Sequence, residues 1–235
     1  MNASIHSPSV VQAFTAIVAT DASAPLMTFY DDATGERTEL SGATLANWVS
    51  KTANLLVDGL GLGHGAVASV RLPPHWQSAA VLLGCWSAGL AVDLAGSEQT
   101  TDVGFTTAES VNTVNSGEIY ALALAPMGLP FRPGPPPGSQ DYAVEVRAHG
   151  DYFAGPPVGA DDRALADGTT HAQLVATAPS VPPGARVLVD GDARPDPRDW
   201  LVGPLLARAS VVLCRHLDPA QVAARLVSEQ AVRLS

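Results

Sequence analysis

The most regular patterning in the chain runs through residues 40–94, where helix-spaced and strand-like apolar stretches alternate. Leu45, Trp48, Val49, Thr52, Leu55 and Leu56 recur at helical spacing and make one apolar stripe. Ser41 stands where a hydroxyl can accept a free N–H of the first turn. Gly59 stands where the helix ends, a place for a left-handed residue. Residues 66–72 read as a short strand, stopped by Pro73 and Pro74, and Pro74 suits the opening of the next helix. That helix, residues 75–88, carries Ala79, Val81, Leu82, Leu83 and Trp86, so it is apolar nearly all round and is expected to be buried. Gly89 closes it, and residues 90–94 form another strand. Two strands joined by a buried helix are expected to be parallel neighbours with a right-handed crossover.

The rest of the chain continues this rhythm with one interruption. Ser7 and Pro8 cap a first helix with Val11, Phe14, Ile17 and Val18 on one side. Residues 26–31 and 37–40 flank Asp32, Ala33, Thr34, Gly35 and Glu36, which predicts a hairpin. Residues 103–107 and 118–124 read as strands around a polar stretch that is irregular or a short helix. Residues 126–138 are rich in Pro and Gly and form a connection, because proline lacks an N–H and favours an extended path. Residues 140–149 have an ambiguous period and 155–159 form a loop. From residue 161 the α/β alternation returns: a helix capped by Thr170 and running to 178, a strand at 186–190, a helix at 196–208, a strand at 210–214, a helix at 218–230 and a last strand at 231–234. The elements make an α/β protein with mainly parallel sheets flanked by helices. It divides into a first α/β lobe (1–125), a connection (126–160) and a second lobe (161–235) packed on the first.

Composition narrows the function. Of 235 residues, 46% are apolar and 15% charged, which marks a globular chain. The net charge of −10 excludes a surface for nucleic acid or an anionic membrane, which needs clustered cations. Lys51 is the single lysine. No leader pattern opens the chain and no apolar run is long enough to span a bilayer. Cys85 and Cys214 sit in apolar settings, which fits a reducing cytoplasm, the expected location.

Three pieces of residues 40–94 carry a family resemblance. Thr44 and Leu45 open the first helix, Leu60-Gly61-Leu62-Gly63-His64-Gly65 make the turn after it, and Ala88-Gly89-Leu90-Ala91-Val92 end the second helix. A fourth piece is Gly168-Thr169-Thr170-His171-Ala172-Gln173-Leu174, followed by Asp199-Trp200 and the strand to Leu213. Together they resemble the N-terminal domain of the adenylate-forming enzymes: acyl- and aryl-CoA ligases, luciferases and nonribosomal adenylation domains. The resemblance implies a phosphate-binding loop, rich in Ser, Thr and Gly and ending Pro-Lys-Gly, just before residue 168. Its backbone N–H groups and lysine would hold phosphate oxygens.

The residues there depart from that pattern. Residues 158–167 contain no Gly-rich run and no lysine, and they add Asp161, Asp162 and Asp167, which would repel a triphosphate. The family's later motifs over adenine and ribose, and its mobile C-terminal domain with the catalytic lysine, have no match before Ser235. Lys51 matches neither family lysine. Adenylation depends on cations and N–H donors that stabilise charge developing on phosphorus, and loss of one such donor slows a reaction by about 10²–10³-fold. The chain is therefore expected to be a truncated, degenerate relative with no catalytic residue and no cofactor. Its expected role is a module binding a small molecule or a protein, with a remnant ligand site at Gly168, Thr169, Thr170 and His171. The alternative is residual ligase activity, alone or with a partner chain. Truncation is also expected to leave apolar surface that either the second lobe or a second copy, as a homodimer, covers.

Other candidates are weaker. Gly59, Gly61, Gly63 and Gly65 follow a helix and precede a strand, the reverse of a dinucleotide fingerprint. Asp190, Asp192, Asp196 and Asp199 fit no calcium loop, and Asp196 suits a helix cap. His6, His64, His75, His149, His171 and His216 show no metal-binding spacing. The four tryptophans fall on apolar helical faces and belong to the core.

Overall fold

The computed structural model describes residues 8–96 and 99–234. Helix α1 (Val10–Thr20) is capped by Ser9, whose hydroxyl accepts from Gln12 N at 3.2 Å while the Gln12 side chain accepts from Ser9 N at 2.9 Å. The expected cap Ser7 lies outside the described residues, as does His6. Strands β1 (Pro25–Asp31) and β2 (Glu36–Ser41) form the expected hairpin. Helix α2 (Gly42–Asn54) starts at the predicted cap, Ser41 accepting from Thr44 N at 3.1 Å, and runs on into a wider turn over Leu55–Gly59.

Next come β3 (Val67–Arg71), α3 (Trp76–Ser87) and β4 (Ala91–Asp93), with β3 and β4 parallel as expected. Pro74 does not open α3. His75 caps it instead, its Nδ1 accepting from Gln77 N at 3.1 Å. Every residue from Trp76 to Trp86 is buried. Helix α2 crosses α3 so closely at Gly84 that an added Cβ would sit 2.5 Å from the Thr52 Cβ, so the crossing requires glycine.

Strand β5 (Thr101–Thr106) and strand β6 (Ser116–Ala121) follow; β6 ends before the predicted limit, although Leu122 N still donates to Thr106 O of β5 at 2.8 Å. The ambiguous stretch 140–149 resolves into β7 (Gln140–Asp141), one helical turn α4 (Tyr142–Glu145) and a tighter turn over Val146–Ala148. Then come α5 (His171–Ala176) and β8 (Arg186–Asp190). The helix expected over 196–208 forms as one helical run, a wide turn over Arg198–Val202 continuing directly into α6 (Gly203–Leu206). Pro204 has no N–H to give the carbonyl four residues back, so the regular ladder fails there. Strand β9 (Ser210–Arg215), α7 (Val222–Ser228) and β10 (Val232–Arg233) complete the described chain.

Two five-stranded sheets result. One has the order β10-β8-β9-β1-β2, parallel except for the β1/β2 hairpin. The other, β4-β3-β5-β6-β7, is parallel throughout. The sheets do not follow the sequence segments: β1 and β2, from residues 1–125, share a sheet with β8–β10, from 161–235. One apolar cluster joins both segments through Phe29, Leu82, Trp86, Trp200 and Val211. Both cysteines are buried and unpaired, and burial raises the Cys214 thiol to about 11. Among the described residues no helix is long and apolar enough to cross a membrane.

Candidate functional site

The segment matched to the family's phosphate loop is folded against itself. Residues 164–166 lie beside β4, with Val92 N donating to Ala164 O and Ala166 N to Val92 O, both at 2.9 Å. A tight turn follows at Gly168, φ +96, where the Asp167 carboxylate accepts from Thr169 N at 2.9 Å. The first N–H groups of α5 are then taken by the chain. His171 N donates to Asp162 O at 2.9 Å, Ala172 N to Ala160 O at 2.8 Å, and Gln173 N to the Thr170 hydroxyl at 3.3 Å. The Thr170 N–H is also used, by the Gln173 side chain at 2.9 Å. Exposed Arg163 is the only Lys or Arg among residues 155–171, against three aspartates.

The four predicted residues do not converge. Thr169 lines a cavity of about 330 Å³ together with Trp86, Gln173 and Arg198. Gly168 makes the turn and Thr170 is spent as a cap. His171 is buried edge-on to Trp86, ring centroids 6.1 Å apart, and burial lowers its pKa to about 4, outweighing the nearby Asp162, so the ring is neutral near pH 7.

A different crevice lies where the two sheets present their carboxyl ends to each other, the usual ligand position in open α/β sheets. Its volume is about 510 Å³. Arg71, the last residue of β3, and Arg215, the last of β9, reach it from opposite sheets. Arg71 is paired with buried Asp93 at 2.9 Å. Arg215 is held only through Nε, 3.3 Å from Asp192, and its two terminal nitrogens have no partner among the described residues. Leu122, Leu124 and Phe131 give the crevice an apolar wall, and Thr107, Glu109 and Ser110 a polar one.

Two further features lie at or beside this crevice. Leu124 and His216, beside Arg215, adopt left-handed backbone conformations at φ 51 and 48. Such positions cost about 1–3 kcal/mol each for non-glycine residues and gather at functional sites. His75 is 1% exposed. Burial, with the neighbouring charge of Arg215, lowers its pKa to about 3, so it stays neutral while capping α3. Sequence reasoning passed over Arg71 and Arg215. The signal was there: a lone cation at the carboxyl end of an apolar strand.

The aspartates at 190–199 are engaged locally. Asp190 accepts from Ala193 N, Asp192 pairs with Arg215, and Asp196 caps the turn at Arg198 N, 2.8 Å, as expected of a helix cap. Asp199 lies 3.8 Å from Arg194.

No protein-family model matches the chain. A Mycobacterium tuberculosis protein named as a TIGR03089 family protein is 40% identical over 225 residues, covering 89% of this chain and 90% of that one. Among solved structures, the N-terminal domain of FACL13 from Mycobacterium tuberculosis superposes with a TM-score of 0.64 at 13% identity, over 95% of this chain and 61% of that one. An acyl-CoA synthetase from Brucella canis gives 0.67 at 14% identity, over 93% of this chain and 45% of that one. The anthranilate CoA ligase AuaEII, in complex with anthranoyl-AMP, gives 0.64 at 12% identity, over 94% and 47%. The chain thus has the fold of the N-terminal domains of adenylate-forming ligases, and it spans 45–61% of the length of these solved structures.

Proposed function

The chain belongs to the TIGR03089 family, and we propose that it keeps the adenylate-forming fold without adenylating, as a module that binds a small molecule in the crevice between its sheets. The observation that carries this is the occupied start of α5. A phosphate loop works by offering unbonded N–H groups to phosphate oxygens. Here the N–H groups of His171, Ala172 and Gln173 are bonded to the chain's own Ala160, Asp162 and Thr170. Freeing them would strand the carbonyls of half-buried Ala160 and Asp162, and no lysine stands by to offset a triphosphate's charge. The ligand site is accordingly proposed at Arg215 rather than at Gly168, Thr169, Thr170 and His171.

The alternative, residual adenylation alone or with a partner chain, rests on the ligase neighbours, and one experiment separates the two. Titrating ATP–Mg²⁺ calorimetrically into the full chain is expected to give no binding heat, and pyrophosphate exchange with a panel of carboxylates is expected to give no labelled ATP. Micromolar ATP affinity, or exchange above the enzyme-free rate, favours the ligase.

The crevice makes its own demand on a ligand. Free guanidinium nitrogens on Arg215 fit an oxyanion, and Phe131, Leu122 and Leu124 fit an apolar body. Benzoate is a suitable probe. At about 100 times its dissociation constant it would stabilise the fold by about 2.7 kcal/mol. Arg215→Ala is expected to abolish the thermal shift, and an undiminished shift in that variant would place the ligand elsewhere.

A further inference from the structure

We propose a second site, in the groove between α1 and α2, that takes an uncharged, largely apolar small molecule. The groove is open to solvent along α1 and offers about 700 Å³, within the range of small-molecule pockets. Val11, Phe14 and Val18 of α1 line one side, Ala46 and Val49 of α2 the other, and Phe153 closes it from the segment 153–158. It shares no lining residue with the crevice at Arg215.

The third wall is pinned in place. On one side of it, Asn54 of α2 donates to Gly150 O and Tyr152 O, both at 2.9 Å, and Lys51 bonds His149 O at 2.6 Å and pairs with Asp151 at 2.9 Å. On the other, the Ser9 hydroxyl donates to Val158 O at 2.9 Å. Between these anchors, the Phe153 ring folds back over Gly155. A Cβ on Gly155 would meet that ring at 2.2 Å, so a larger residue there would push the ring from this position. A cavity held open this way does not have to be ordered by its ligand.

Charge selects the occupant. Among the described residues, none that lines the groove is ionisable, although the chain carries a net charge of −10. An ion entering would lose water with no counter-charge to replace it. The polar lining consists of Gln12, Thr15, Ser50 and Ser87. Gln12 and Thr15 are bonded to Ser9 N and Val11 O. The hydroxyls of Ser50 and Ser87 have no partner among the described residues, so a neutral ligand with a hydroxyl or carbonyl finds donors there. Shape argues for a small molecule over a protein. Among the described residues, none of the large apolar side chains that are exposed lines the groove, so the described rim lacks the patch that a protein interface would bury.

The test uses N-phenyl-1-naphthylamine, a neutral fluorescent probe, titrated into the full chain. Saturable, one-to-one binding is expected, with displacement by decanol at least tenfold stronger than by decanoate or decylammonium. Ala46→Phe, which fills the groove, and Ser50→Asp, which charges it, are each expected to weaken the probe at least tenfold, while Arg215→Ala leaves it unchanged. If either groove variant fails to fold, Thr15→Asp at the exposed rim provides the same reading. Probe affinity that survives folded groove variants, loss of binding in Arg215→Ala, equal displacement by the charged amphiphiles, or no saturable binding overturns the proposal.

Discussion

Replacing Trp86 with alanine is expected to lower the unfolding free energy by about 3–5 kcal/mol, the usual range for deleting a buried aromatic ring. Trp86 is fully buried on α3 and belongs to the main apolar cluster. It also ties α3 to the refolded loop, because its indole N–H donates to Ala164 O at 2.9 Å and its ring backs His171. Alanine leaves a cavity there, and Ala164 O keeps only its bond from Val92 N. Trp86→Phe fills most of the space and forfeits the hydrogen bond, so it should fall between the two. Urea unfolding at pH 7 measures both. For domains with about 5–15 kcal/mol of stability, the alanine variant is severely weakened, and a loss under about 1.5 kcal/mol would contradict the packing given to Trp86. Hydrogen exchange at the amides of His171 and Ala172 is expected to accelerate in the same variant, since the loop that occupies them loses its anchor.

The second large effect is expected at Asp32. Arg225 of α7 is 9% exposed, lies over the Tyr30 ring at 4.1 Å and bonds Asp32 through both terminal nitrogens, at 2.6 and 3.2 Å. Asp32 also accepts from Asp218 N at 2.8 Å. Asp32→Ala leaves a buried guanidinium without its counter-charge, which costs about 3–5 kcal/mol when one partner of a buried pair is removed. The same cluster gives the chain an acid sensitivity. The bond from Arg225 holds the Asp32 carboxyl below the usual range, outweighing burial. Burial would raise Glu229, but hydrogen bonds from Tyr30, Arg186 and Arg37 outweigh it and hold the carboxyl at about 2. Both native values are depressed, so their stabilisation is fully present above the unfolded carboxylate pKa of about 4. It is lost as pH falls from there through the native value, near 2 for Glu229. Urea midpoints at pH 7 and pH 3 should therefore separate strongly in the wild-type chain and less in Glu229→Gln. An equal separation in both would mean that the Glu229 network contributes nothing to folding.

Much of this molecule is legible in the sequence, and the reason is the range over which each feature is encoded. The stripe of Leu45, Val49 and Leu56, the cap at Ser41 and the all-round apolar face of residues 76–86 are local, so α2, α3 and the β3/β4 pair fall where periodicity places them. The missing lysine and the three aspartates before Gly168 are equally plain. The widened turn before Pro204 was also written locally, but a strong apolar period on either side hid it.

What only the tertiary structure decided depends on residues far apart in sequence. No local pattern tells β1 to pair with β9 and so weave the two ends of the chain into one sheet. Nor does one tell that Ala160 and Asp162 occupy the N–H groups of α5, because backbone groups carry no sequence signal of their own. Arg71 and Arg215 line one crevice only because the packing of the two sheets brings the carboxyl ends of β3 and β9 to it. The local code sets which segments can be helix or strand. The packing of their apolar faces then sets which strand ends meet, and the crevice lies at that meeting.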